Sequence, residues 1–227
     1  MFNYYELLIN RPDLFNNQDA MLFLISNKVE IKAWEKERII QLRMQGKPEL
    51  WGKIGIVYED PYIIVLRDLV EFPNGSRNGY SRIINRATLE GGAAGVVVLP
   101  ELNGRFLLLH QFRHATRAWH WEIPRGFGEA GKTAEQQAEI EIQEEVNGRI
   151  SKFTKLGILH NNTGLEGNDV HLFLANLDSV GETAKDEGIE SYIWVSIAEL
   201  EEMIKTEKIT DGFTIAAYTR AKLKGLI

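Results

Sequence analysis

The spacing of apolar residues changes character along this chain. Up to about residue 50 the apolar positions recur at helical intervals. Asp19–Ser26 reads as a short apolar helix. Val29–Gln45 reads as a longer one, with Trp34, Ile39, Ile40, Leu42 and Met44 among charges and a stop at Gly46 and Pro48. From Ile54 the texture is that of strands. Ile54–Tyr58, Tyr62–Val70 and Tyr80–Ile84 are rich in β-branched and aromatic residues and are bounded by D-P and P-N-G turns. Ala94–Leu99 is a continuous apolar run, as in a buried strand, and Arg105–Phe112 follows across an L-N-G-R turn that predicts a hairpin. Further strands are expected at Trp119–Ile123, Phe153–Leu159, Val170–Ala175 and Tyr192–Val195. Helices are expected at Thr133–Val146, Ile197–Thr206 and Asp211–Lys224. Thr133 suits an N-cap and Gly148 a stop. Helices and strands mix without a regular βαβ period, which predicts an α+β chain, an α/β/α sandwich around a mixed sheet. The change of texture divides it into a small N-terminal helical extension at 1–50 and a main domain at 51–227.

Bulk properties narrow the classes. The 227 residues are 44% hydrophobic and 26% charged, an ordinary globular balance. A net charge of −6 argues against a general nucleic-acid binder, which needs a Lys/Arg surplus, but leaves room for a single nucleotide. The chain has no cysteine, which excludes disulfides and thiolate metal sites and fits a reducing, cytoplasmic setting. The N-terminus lacks the pattern of a signal peptide, and no apolar run approaches the roughly 20 residues that span a bilayer, so no membrane partner is expected.

The richest stretch for chemistry is Glu122–Gly148, where a loop with Gly126, Gly128 and Gly131 runs into a helix carrying Glu141, Glu144 and Glu145. Residues at i, i+3 and i+4 share a helical face, so three carboxylates crowd there and repel unless a cation or solvent relieves them. A solvated acidic face is the ordinary reading of such a run. The preceding glycine loop and the position inside a domain favour the other reading: a hard divalent cation such as Mg2+, held by oxygen ligands and bridging to substrate phosphates.

Five fragments, in order, carry a family resemblance. Gly126–Gly148 resembles the Nudix box, G-x5-E-x7-R-E-U-x-E-E-x-G-U, with U a bulky aliphatic residue. The lead-in E-I-P-R-G resembles the E-L-P-A-G that precedes this box in ADP-ribose pyrophosphatases. G-R-F-L-L-L-H-Q-F-R at 104–113, H-L-F-L-A at 171–175 and I-T-D-G-F-T-I-A-A at 209–217 are similar to further segments of that subfamily. The resemblance spans roughly residues 54 to 224. It implies the Nudix fold and Mg2+- or Mn2+-dependent hydrolysis of a pyrophosphate bond in a nucleoside diphosphate derivative, ADP-ribose or a related nucleotide sugar. It implies metal ligands at Glu141, Glu144 and Glu145, with the backbone carbonyl of Arg125 as a fourth, and Glu144 shared between metal binding and catalysis. A general base is expected in the acidic turn before the Trp194 strand, Glu187 first and Glu190 second, each of which also reads as a solvated acid. Substrate contacts are expected from Arg113, Arg117 and Glu122; an arginine there forks onto phosphate or forms a surface salt bridge. Trp119 and Trp121 share a strand face and either stack on a base or pack in the core. Asp60–Ile84, within the 51–90 strands, resembles strands that exchange between subunits in ADP-ribose pyrophosphatase dimers, which implies a homodimer.

The departures from the box are as informative as the matches. Lys132 stands where the box has its first Glu and Ile140 where it has Arg, so an acid and a base are lost together. Asn147 replaces the late Gly, and Gly148 falls where an aliphatic residue belongs. An ion pair lost as a unit would leave the ligands with less support, which commonly costs metal affinity or rate. The alternative function is a catalytically weak Nudix-fold protein that binds and senses a nucleotide sugar. A further one is an interaction domain that uses residues 1–50.

Overall fold

In the computed structural model, which describes residues 2–227, helix α1 (Tyr4–Asn10) begins where Asn3 Oδ1 accepts from the amides of Tyr5 and Glu6. A 3-10 turn at Pro12–Phe15 leads to a two-residue strand β1 (Phe23–Leu24), then α2 (Lys28–Met44), capped by the Asn27 side chain. Strands β2 (Gly55–Glu59), β3 (Ile63–Glu71) and β4 (Arg77–Asn85) and the short α3 (Arg86–Leu89) follow. The expected helix at Asp19–Ser26 is absent. Asp19 takes φ 59, and Phe23–Leu24 pairs with Glu71 and Val70 as an edge strand. A six-residue apolar run is too short to offset the cost of helix nucleation, whereas the edge of β3 supplies ready backbone partners.

The described residues fall into two units, one reaching to Leu89 and taking in Asn162–Gly167, the other Glu90–Asn161 with Asn168–Ile227. The first therefore extends well past residue 50, where the change of texture put the boundary. Its strands share a core with α1 and α2 through Tyr4, Leu7, Ile31, Ile64, Leu66, Leu69 and Ile84. Buried Asp68 accepts from Tyr4 Oη at 2.7 Å and Arg82 Nε at 2.6 Å, which satisfies its charge inside that core.

The second unit contains β5 (Gly95–Leu102), β6 (Arg105–Arg113), β7 (Ala118–Glu122), β8 (Arg125–Phe127), α4 (Ala134–Val146), β9 (Arg149–Leu159), β10 (Val170–Ser179), β11 (Ile189–Val195), α5 (Ile197–Lys205) and α6 (Gly212–Leu223). The sheet runs β11-β6-β5-β10-β9 and is mixed, because β5 and β10 are parallel and the other pairs antiparallel. The hairpin turn uses Asn103 at φ 53 and Gly104 at φ 76, the two positive φ angles a type I′ turn needs. β5 and β6 stay paired only at Glu101–Phe106 and Leu102–Arg105. Beyond that they splay, and the chain enters the gap, β7 pairing with β6 and β8 with β5. Strand alternation then sorts the apolar side chains. Val96, Val98, Leu107, Leu109, Phe173 and Ala175 meet Ala138, Ile142 and Val146 of α4 on one face. Val97, Leu99, Phe106, Leu108, Leu172 and Leu174 meet Leu200 of α5 and Ala217, Tyr218 and Ala221 of α6 on the other. The unit is the α/β/α sandwich the sequence predicts. Among the described residues no helix is long and apolar enough to cross a membrane.

Candidate active site

Helix α4 is set by local chemistry at both ends. Thr133 and Gln136 form a reciprocal capping box. At the other end Asn147 adopts the left-handed conformation, φ 46, and Gly148 donates to the Ile142 carbonyl at 3.0 Å. A Cβ on Gly148 would lie 2.8 Å from Ile142 Cγ2, which accounts for glycine where the box has an aliphatic residue. The helix buries Ala134, Gln137, Ala138, Glu141, Ile142, Glu145 and Val146. Glu141 and Glu145 therefore lie on its inward stripe, 8% and 2% exposed, and only Glu144 of the three faces solvent. This decides against a solvated face for two of the three carboxylates.

Three contacts fix these acids. A Cβ on Gly126 would sit 2.1 Å from the Glu141 carboxyl carbon, so the glycine loop and that carboxylate occupy adjoining space that only glycine leaves open. Glu141 Oε1 accepts from Gln137 Nε2 at 2.8 Å, and Glu145 Oε2 accepts from the Arg125 amide at 3.2 Å. The register explains the last contact. Val98 N donates to the Pro124 carbonyl at 2.9 Å and Gly128 N to the Ala94 carbonyl at 3.2 Å. Arg125, opposite Val97, is thus a non-hydrogen-bonded position of the ladder, and its N–H and C=O both point away from β5. The carbonyl is on the side from which the amide reaches Glu145.

Glu187 joins this group by way of a strap. Gly181 N donates to the Val146 carbonyl at 2.8 Å and Ala184 N to the Glu145 carbonyl at 3.0 Å, which ties the segment to the end of α4. The 3-10 turn Lys185–Glu187 follows, its Glu187 carbonyl accepting from Gln111 Nε2 at 3.0 Å. The electrostatics record the convergence. Burial pushes Glu141 up to about 7, with the charges of Glu144, Glu187 and Glu129 adding to it against the Gln137 hydrogen bond. Burial, then the Glu141 charge, raises Glu145 well above its ordinary value, opposed by Arg113. Burial and the Glu144 charge also raise Glu187, again opposed by Arg113.

Glu122 lies behind Arg113. It is 1% exposed, with Oε1 taken by Arg113 Nε at 2.5 Å and Oε2 by Arg125 Nη2 at 3.2 Å. Both oxygens are occupied, so its place is to hold the two guanidiniums. Each of these keeps a buried N–H with no acceptor, Nη2 of Arg113 and Nε of Arg125. The Arg125 side chain also lies 3.6 Å from Asp211 and over the Phe213 ring at 5.0 Å. The box pattern points only to the carbonyl of Arg125. The nearby I-T-D-G-F-T segment was the available signal for its side chain, since Asp211 caps α6 by accepting from Thr214 N.

Other candidates stand elsewhere. Glu190 pairs with His110 Nδ1 at 2.7 Å. By alternation from Phe106 and Leu108, His110 is on the α5/α6 side of β6, so Glu190 is not brought to the α4 carboxylates. The His110 ring stacks with Trp119 and Trp121 at 4.8 and 4.5 Å; Trp121 packs on the core, and Trp119 is 48% exposed. Arg117 sits at φ 54 in an exposed turn, its Nη1 2.8 Å from His114 Nδ1 and its guanidinium over Phe112. Lys132 and Ile140, the two charge departures, line one groove of about 630 Å³ that also contains Glu144.

Residues 90–215, more than half of the chain, match the NUDIX domain family. The chain belongs to the Nudix family. This Nudix hydrolase is 28% identical over 158 residues to the ADP-ribose pyrophosphatase of Bacillus subtilis (strain 168), covering 68% of this chain and 82% of that one. It is 29% identical over 154 residues to the ADP-ribose pyrophosphatase of Mycobacterium tuberculosis (strain ATCC 25618 / H37Rv), covering 66% and 72%. It is 22% identical over 162 residues to a CMP-5'-(N-acetyl-N-hydroxy-3-aminopropyl)phosphonate hydrolase of Streptomyces rubellomurinus (strain ATCC 31215), covering 70% and 76%. The crystal structure of an ADP compounds hydrolase shares its fold, with a TM-score of 0.64 at 19% identity over 77% of this chain and 93% of that one. The chain is a Nudix pyrophosphohydrolase related to ADP-ribose pyrophosphatases.

The residues suit a hard divalent cation by donor chemistry. Carboxylate and carbonyl oxygens are the ligands Mg2+ and Mn2+ take, and the buried like charges of Glu141 and Glu145 call for a positive partner. As they stand, no three acidic or histidine side chains among the described residues are gathered into a finished ligand set. One oxygen each of Glu141 and Glu145 is engaged by a protein donor, and Glu144 extends into solvent.

Proposed function

We propose that this enzyme hydrolyses the pyrophosphate bond of ADP-ribose or a related nucleotide sugar, giving a nucleoside monophosphate and a sugar phosphate. The observation that carries the reading is the meeting of Glu141, Glu144, Glu145 and Glu187 beside Arg113. Glu141, Glu144, Glu145 and the Arg125 carbonyl would hold Mg2+ or Mn2+. When bound, such an ion neutralises pyrophosphate charge and makes water a better nucleophile. Glu187 accepts the proton of the attacking water. As the new P–O bond forms, the anhydride P–O bond breaks and its electron pair leaves with the departing phosphate. Arg113, held by Glu122 from behind, presents its remaining N–H groups to phosphate oxygens. The related hydrolase acting on a CMP-linked phosphonate supports testing leaving groups other than ribose phosphate. We also propose a homodimer formed through the 55–85 strands, which expose Tyr58, Tyr62 and Tyr80; light scattering would give about twice 25.9 kDa.

The test is ADP-ribose turnover with Mg2+ or Mn2+, followed as phosphate released after phosphatase coupling. Glu187→Gln is expected to lower kcat by about 10²–10⁴-fold, the usual weight of general-base catalysis. A base works deprotonated, and burial raises the Glu187 carboxyl. The wild-type rate should therefore climb with pH through a midpoint higher than that of an unperturbed glutamate, and that limb should disappear in the variant. Equal rates for the two proteins reject Glu187 as the base. The second reading, a weakly catalytic nucleotide-sugar sensor, is favoured by the charges missing at Lys132 and Ile140. Tight metal-independent binding by calorimetry, without turnover of any nucleotide sugar, would support it.

A further inference from the structure

The inward stripe of α4 carries one polar side chain that is not an acid, Gln137, which is 2% exposed. It falls in the unspecified x7 stretch of the box, so no pattern draws attention to it. Its Oε1 accepts from the Glu129 amide at 3.1 Å. That contact settles which way the amide points, because a backbone N–H requires the carbonyl oxygen. Nε2 is left facing Glu141 Oε1, one helical turn on, at 2.8 Å. Glu141 is thus pressed against Gly126 on one side and held by a buried donor on the other. The donor is neutral, and the charges of Glu144, Glu187 and Glu129 all act against the Glu141 carboxylate it holds.

We propose that Gln137 is a positioning residue for metal binding, fixing the Glu141 carboxylate from inside the helix and replacing the support lost with the charges at positions 132 and 140. Lys132 is exposed and Ile140 is uncharged, and both lie on the outer groove of α4, whereas Gln137 and Glu141 share its buried face. The inference rests on the metal reading above.

Two variants separate positioning from simple loop anchoring. Gln137→Glu keeps an acceptor for the Glu129 amide but removes the donor toward Glu141. Gln137→Met removes both. Mn2+ binding by the full-length protein is measured by electron paramagnetic resonance titration at pH 8.5, with a circular dichroism melt to establish folding. Both variants are expected to raise the Kd for Mn2+ about 10–100-fold, the usual cost of losing a group that orients a metal ligand. If Gln137 only anchors the loop, Gln137→Glu binds Mn2+ as wild type does, which overturns the proposal even should Gln137→Met fail to fold. Wild-type protein that takes up no Mn2+ overturns the metal reading and this inference together. Wild-type uptake with unchanged Gln137→Glu overturns this inference alone.

Discussion

Glu145→Gln will lose pyrophosphate hydrolysis while the metal-free protein becomes more stable at neutral pH. The expected fall in kcat is about 10²–10³-fold if Glu145 holds the metal as proposed above, since a metal ligand supports several kcal/mol of transition-state stabilisation. The gain in stability comes from the same carboxylate. Glu145 is 2% exposed, and burial and the Glu141 charge both oppose its ionisation. An amide of the same shape can still accept from Arg125 N but carries no charge, and the repulsion on Glu141 is relieved as well. We expect a melting temperature higher by on the order of 5 °C without metal. Saturating Mg2+ should raise the wild-type melt more than that of the variant. The pH dependence has a definite sign. Glu141 is raised from an ordinary 4.5 to about 7 in the folded protein, so the folded state holds its proton more tightly than the unfolded state. Its contribution to metal-free stability is retained below about pH 4.5, declines as pH rises through about 7 and is flat above. A Glu145→Gln protein that melts no higher than wild type, in chelator at pH 8, would show that the acids are not in conflict.

The second large effect separates two glycines two residues apart. At Gly126 an added methyl meets the Glu141 carboxyl group at 2.1 Å, the far end of a flexible side chain. At Gly128 it meets the Ala93 carbonyl oxygen at 1.7 Å, which is backbone of the strand's approach. Gly126→Ala should therefore fold with little loss, because Glu141 can swing away, and lose metal affinity about 10–100-fold, because that carboxylate has been displaced. Gly128→Ala must move main chain. It should cost about 1–3 kcal/mol, seen as a melting temperature lower by roughly 2–4 °C per kcal/mol. Melts and Mn2+ titrations of both variants check this. Equal loss of stability in the two would mean that the loop, not Glu141, gives way at Gly126.

What the sequence made legible follows from the range of the physics involved. The Asn103-Gly104 turn and the Thr133 cap are local, decided within a few residues, and both are readable from the sequence. The acidic spacing announced Glu141, Glu144 and Glu145, but not that two of them point inward; that depends on which face α4 turns to the sheet. Glu187 ranks ahead of Glu190 from the sequence, but only by a residue or two of alignment. A register shift between Ile189 and Ser191, together with the strap to α4, separates them, and neither is visible in composition. Glu122 read as a substrate contact because its burial depends on β7 entering the splayed hairpin. The three-residue β8, following Pro124, has too little periodicity to announce itself. The boundary near residue 50 followed texture, whereas packing joins the 55–85 strands to the helices before them.

The last carbonyls of a helix are usually left to water, and its final turn frays freely. In α4 the carbonyls of Glu145 and Val146 are taken by the amides of Ala184 and Gly181, in the segment that leads to Glu187. Fraying at the helix end must therefore release the turn that carries Glu187, and loosening that turn must unpeg the helix end. The end of α4 and the Glu187 turn open as one cooperative unit, so a local fluctuation does not leave the carboxylates of α4 assembled with Glu187 astray.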